Sequence, residues 1–180
     1  MNDKWVLTAL ARIVLFALTS STAVTAEQAG EQRVKPSQFP AAVAATVKTN
    51  CRNCRVAKAT REVENGVTVY DIEFRNGRGE MDIAEDGSMI GRETIVKVRS
   101  VPATAMKAIR KAAAGGRIKQ IVRDETHAEL KDGNIVKLSA PTYVYEADLV
   151  KRGRVAEVEV SPEGEITEPP KWRKKGTKED

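Results

Sequence analysis

Tyr70-Asp71-Ile72-Glu73-Phe74-Arg75-Asn76-Gly77-Arg78-Gly79-Glu80-Met81-Asp82-Ile83 is the stretch that sets the fold class. Tyr70, Ile72 and Phe74 alternate with Asp71 and Glu73, the period of a strand buried on one face only. Met81 and Ile83 alternate with Glu80 and Asp82 in the same way, and Asn76-Gly77 between the runs supplies the positive-φ residues of a tight hairpin. Asp86-Gly87 closes the next turn. Before this hairpin, Val56 to Val63 reads as an earlier strand, and before that Phe39-Pro40-Ala41 opens an alanine-rich helix. Proline suits the first turn because its φ is preset and it lacks an amide hydrogen that would go unpaired there. Val43 and Val47 mark the buried stripe of that helix, and Lys48 faces away.

The pattern returns. Val101-Pro102-Ala103 repeats Phe39-Pro40-Ala41, and the same offset of 62 carries Val47 onto Ile109, Arg55 onto Arg117 and Val56 onto Ile118. Met106, Ile109 and Ala113 form the second stripe, with Lys107 and Arg110 outward, and Ile118 to Arg123 is the strand that follows. Further on, Tyr145-Glu146-Ala147-Asp148-Leu149 echoes residues 70–74, and Glu157-Val158-Glu159-Val160 echoes residues 80–83, at offsets of 75 and 77. Offsets that grow between strands imply longer hairpin connections in the second copy. Tyr143 joins the inward set there, and Arg152-Gly153 and Glu163-Gly164 sit near the turns. The expectation is an α+β fold of two repeated units, each a short helix followed by an antiparallel meander, with the helix on one sheet face and the other face wet. Periodicity leaves open whether the units share a sheet or form two lobes.

The ends differ in character. Lys4 and Arg12 precede the apolar stretch Ile13 to Leu18, and Val24-Thr25-Ala26 fits a signal-peptidase site, so residues 1–26 read as a signal peptide. Its loss would remove Lys4, Arg12 and Asp3 and take the formal charge from +5 to +4. Residues 27–38 read as a flexible lead, 39–99 and 100–166 as the two repeats, and 167–180 as a flexible basic tail. That tail sets Lys171, Arg173, Lys174, Lys175 and Lys178 around Trp172; it reads first as a solubilising tail, the alternative outside the cytoplasm being contact with anionic lipid or cell-wall polymer, and no nucleic acid is expected. With 4% aromatic residues nothing suggests a large aromatic-walled ligand cavity.

The order of helix, strand, Tyr-Asp-Ile-Glu-Phe, glycine-containing hairpin and Asp-Gly turn resembles the PepSY-like family, with a weaker echo in residues 101–166. The resemblance implies an exported bacterial protein, periplasmic or secreted, often built as a tandem repeat and related to a β-lactamase inhibitor protein and to peptidase-propeptide modules. It carries no catalytic residues over, and it implies a non-catalytic binding or inhibitory module for a protein or peptide of the cell envelope.

Chemistry-bearing candidates are few. Cys51-Arg52-Asn53-Cys54 lies at the end of the first helix, and in an oxidising compartment a disulfide is the first expectation. The helix C-terminus disfavours a thiolate while Arg52 and Arg55 favour one, and Ala113 and Gly116 occupy the matching places in the second copy. A turn staple is the leading reading, and redox exchange or metal handling through Cys51 and Cys54 is the alternative function. His127, the sole histidine, reads as a solvated side chain. No serine lies in a nucleophile elbow and no glycine loop cradles phosphate, so neither enzyme activity nor a cofactor or metal is expected. The outward carboxylates Asp71, Glu73, Glu80, Asp82, Glu146, Asp148, Glu157 and Glu159 read first as an ordinary solvated sheet face, and they are the candidates for partner binding. Where like charges face across strands they repel, so neighbouring cations such as Lys58 or Arg123, or a basic partner, must offset them.

Overall fold

The computed structural model describes residues 31–75, 77 and 79–176. The expected signal peptide, Asn76 of the hairpin turn and Lys178 of the tail lie outside the described residues. The elements run β1 (Gln32–Arg33), α1 (Ala41–Asn50), β2 (Val56–Glu64), β3 (Val67–Phe74), β4 (Glu80–Ala84), β5 (Met89–Ile95), α2 (Ala103–Ala113), β6 (Arg117–Lys131), β7 (Asn134–Lys151), β8 (Arg154–Val160), β9 (Ile166–Glu168) and β10 (Arg173–Lys174). Short 3-10 turns, Pro36–Gln38 and Val98–Ser100, precede the helices. The fold is mostly antiparallel sheet with two helices, α+β as the sequence implies.

All strands join one sheet, in the order β1-β2-β3-β4-β5-β6-β7-β8-β10, with β9 also on β8. The question of one sheet or two lobes is settled by β5, which pairs with β4 on one side and with β6 on the other. Tight turns need residues that tolerate positive φ, and Asn65-Gly66, Asp132-Gly133 and Arg152-Gly153 provide them at β2-β3, β6-β7 and β7-β8.

Cross-strand partners point to the same side of a sheet. Ile72 faces Met81, Met81 faces Arg92, Arg92 faces Glu125 and Glu125 faces Tyr143, so one face can be followed from β3 to β7. Both helices cover this face. Val43 of α1 packs on Tyr70, Ile72, Phe74, Met81 and Ile83. Met106, Ile109 and Ala113 of α2 pack on Ile121, Tyr145, Ala147, Leu149, Val158 and Val160. The inward residues expected from alternation are therefore the core. Tyr143 has the right parity but stays 44% exposed, because α2 does not reach it.

Two expectations are corrected. The end of the chain is not a free tail over its described part, since Arg173 and Lys174 pair with Val155 and Arg154 of β8, and Trp172 packs against the α2 core. The lead is also placed, as Gln32 and Arg33 pair with Arg61 and Thr60. In both cases an open sheet edge offers unpaired amides that a polar segment can satisfy, a gain that composition alone does not reveal.

Candidate functional site: a carboxylate face on the sheet

The second face of the sheet carries the acids. Asp71 and Glu73 lie opposite Asp82 and Glu80, and Glu146 and Asp148 lie opposite Glu159 and Glu157, so the structure brings all eight sequence candidates to one side. It adds Glu93, Asp124 and Glu168, which sequence reading missed. Glu80 faces Glu93, and Glu93 faces Asp124, so a row Glu73–Glu80–Glu93–Asp124 crosses four consecutive strands. Adjacent strands are about 4.8 Å apart. A second row, Asp71–Asp82, ends at Gly91 and Thr126, and a third runs Ile95–Val122–Glu146–Glu159–Glu168. Glu93 is hidden in the sequence because Gly91 interrupts Met89-Ile90-Gly91-Arg92-Glu93 and a register shift beside it blurs the alternation of β5. Asp124 shares the parity of Gln120 and Val122, a signal visible only once the strand is known to continue past Arg123.

These carboxylates are half-buried, not fully solvated. Burial, then the charges of Asp71, Glu93 and Asp82 and a hydrogen bond with Asp71, push Glu80 up to about 9. Glu146 is pushed up to about 8 by burial and by the charges of Glu157, Glu93, Asp148 and Asp124. Burial and then Glu64, Asp71 and Glu31 also raise Glu62. Carboxylate oxygens of Asp71, Glu80 and Asp82 lie within 4.8 Å of one another. Cations at the margins offset part of this charge. Lys58 faces Glu73 across β2-β3 but bonds Glu31 at 2.8 Å, and Lys119 bonds Asp148 at 2.9 Å. Thr60 donates to Asp71 at 3.4 Å. The expected help from Arg123 does not arise, because strand parity turns it to the helix side, where it pairs with Glu125 and lies over Tyr143.

One end of the carboxylate face has an apolar border. Val67 and Ala84 share the parity of Asp71 and Asp82, and they pack with Ile90, Ala128, Leu130 and Ile135. The β6-β7 hairpin reaches this place because four residues of β7, Leu138 to Pro141, bulge opposite His127. Its tip is fastened to the β2-β3 turn, with the Gly133 amide donating to the Asn65 carbonyl at 2.7 Å. His127 is not a solvated turn residue. Its side chain is 29% exposed on β6, with Nε2 at 3.5 Å from Glu125.

Cys51 and Cys54 form a disulfide with Cα atoms 5.4 Å apart. Both pack against the α1 core, where the bond ties the helix end to the turn entering β2. This is the staple expected from the sequence.

No family model matches the chain, and no curated protein does. The fold is similar to that of a Bacteroides eggerthii protein assigned to the periplasm (TM-score 0.51, 12% identity, 75% of this chain and 88% of that one). It is equally similar to a DUF2874 family protein from Bacteroides uniformis (TM-score 0.50, 13% identity, 74% and 88%). A BLIP-like protein from Bacteroides fragilis aligns at TM-score 0.48 and 14% identity, over 78% of this chain and 92% of that one. At 12% and 13% identity, the likeness to the Bacteroides eggerthii and Bacteroides uniformis proteins shows a shared fold alone. Among the described residues no helix is long and apolar enough to cross a membrane.

Proposed function

We propose that the chain is an exported, non-catalytic binding or inhibitory module of the bacterial cell envelope, whose carboxylate face takes a basic segment of a protein or peptide. The observation that carries this is the row Glu73–Glu80–Glu93–Asp124. Carboxylates in neighbouring register positions make this face acidic, and their mutual repulsion together with burial holds Glu80 and Glu146 protonated up to about 9 and 8, so a cationic segment is the partner whose charge complements the face. An envelope location agrees with the signal-like residues 1–26, the Cys51–Cys54 disulfide and the fold shared with a protein assigned to the periplasm.

The module is, on this reading, a tandem PepSY-like pair. Local hydrogen bonds support the duplication at the offset of 62 already found in the sequence: Gln38 to Lys35 matches Ser100 to Lys97, Ala44 to Pro40 matches Met106 to Pro102, and Cys54 to Cys51 matches Gly116 to Ala113. The β4 and β8 turns match as well, since Gly87 abuts Ala42 of α1 and Gly164 abuts Thr104 of α2.

The test is calorimetric titration with lysine-rich and glutamate-rich peptides of equal length, using the native chain and the triple variant Glu73→Gln, Glu93→Gln, Asp124→Asn. Salt-sensitive binding of the basic peptide alone, weakened in the variant, is the expected result. Equal affinity of native chain and variant would remove the carboxylate face from consideration.

A further inference from the structure

The charges of this molecule are sorted by layer. Residues 94–123, which include α2 and the turn before it, contain neither Asp nor Glu, and the same holds for residues 32–61, which include α1. The carboxylate rows lie on the sheet face that the helices do not cover, so the outer surface of α2 points away from them; outside the rows, Glu125 pairs with Arg123 on the helix side, and Glu163 and Glu165 flank Gly164 at the start of α2. On that surface Lys107, Arg110 and Lys111 are exposed, and Lys97 and Arg99 of the preceding turn stand beside them. Between those two residues Val98 is 48% exposed. A shallow depression of about 450 Å³ opens here, lined by Val98, Val101, Ala103 and Met106 and rimmed by Arg99, Lys107 and Arg110.

A small apolar floor inside a ring of cations is complementary to a phosphate headgroup with the start of its acyl chain. We infer that the outer face of α2, with Val98 at its centre, docks on anionic phospholipid at a bilayer surface. Juxtamembrane cations gain from the negative surface potential over about a Debye length. The carboxylates on the far side are repelled by the same potential, so the charge separation also fixes orientation: helices toward lipid, carboxylate face away from it. The inference rests on the envelope location proposed above but not on the binding role of the carboxylate face.

The experiment is vesicle co-flotation of the exported chain, recovered from the envelope of an expressing bacterium. Vesicles of phosphatidylcholine alone are compared with vesicles containing about 30% phosphatidylglycerol. Three proteins accompany the native chain: Arg99→Glu/Lys107→Glu/Arg110→Glu on the α2 face, Lys171→Glu/Arg173→Glu/Lys174→Glu at the chain end, and the carboxylate-row variant. Val98→Ser separately removes the apolar centre without changing charge or the cations around it.

Salt-sensitive binding to anionic vesicles is expected. It should fall at least about tenfold in the α2 variant, about threefold in Val98→Ser, and less than about threefold at the chain end. The carboxylate-row variant should retain it, which separates this inference from the peptide-binding role. No preference for anionic vesicles, or a greater loss at the chain end than on α2, would overturn the inference. So would self-association in sedimentation that the α2 variant abolishes while vesicles are ignored, since that outcome assigns the cationic face to a second copy of the chain.

Discussion

Glu80 shows how a position that strand alternation calls simply outward can have a specific energetic role. Its folded-state proton is held up to about 9, against an ordinary carboxylate near 4.5, by burial and by Asp71, Glu93 and Asp82. Between those values the folded chain keeps a proton that the unfolded chain has lost. The stabilising contribution is therefore complete below about pH 4.5 and disappears as pH rises through about 9. Glu146 acts in the same direction up to about 8. Glu80→Gln should leave stability at pH 5 nearly unchanged and raise it at pH 9 by on the order of 2 kcal/mol. Urea unfolding at the two pH values checks this, and an equal change at both would mean that charge is not the cause. A basic ligand should bind more tightly as pH rises over this window and release protons as it binds. Gly79 belongs to the same scale. At φ +86, a Cβ there would stand 1.9 Å from the carbonyl oxygen of Glu93. Gly79→Ala should destabilise by about 2 kcal/mol or more through strain and clash at the β4-β5 contact. A melting temperature unchanged by the substitution would refute that account.

Elements were legible where periodicity was undisturbed. Tyr70 to Phe74 and Tyr145 to Leu149 announce β3 and β7 because burial on one face enforces strict alternation, and the two Pro-led helices follow from local chemistry. Elements that depend on distant pairing were not legible. Gly91 and a register shift hide β5, so Glu93 and its place in the carboxylate row could not be assigned. Beyond Thr126 the tip of the β6-β7 hairpin is clasped to Asn65, a distant contact about which the local sequence says nothing. The chain end looked like a solubilising tail because its composition is basic, yet Trp172 packs beside the α2 core and its carbonyl accepts from Arg154 at 2.6 Å. Trp172→Ala should lower stability by about 1–3 kcal/mol through lost apolar burial, whereas Lys171→Ala should change it by less than about 0.5 kcal/mol. Thermal unfolding of the two variants decides. Equal behaviour would restore the reading of residues 167–180 as an appendage.

At the scale of the molecule the two apolar cores are separate clusters, one under each helix, and the strip of sheet between them on that face is polar. Arg92, Thr94, Arg123 and Glu125 occupy this strip, facing one another across β5 and β6. On that face the hydrophobic contribution therefore acts within each half, and what joins the halves is the β5-β6 ladder, from Gly91 opposite Thr126 to Ile95 opposite Val122, with the small cluster of Ala84, Ile90 and Ala128 bridging them on the other face. Short α+β units bury too small a fraction of their surface to be robust alone. Linking them through a continuous ladder makes each half a template for the other's edge strand. The chain should unfold in one calorimetric transition, with calorimetric and van't Hoff enthalpies in agreement. Proline within a central strand cannot donate to the ladder, so Thr94→Pro should weaken the seam while leaving both cores intact, and the single transition should divide into two. If the variant melts earlier but still in one step, the coupling resides elsewhere, and the small cluster of Ala84, Ile90 and Ala128 under the β6-β7 hairpin is then the bridge to disrupt next.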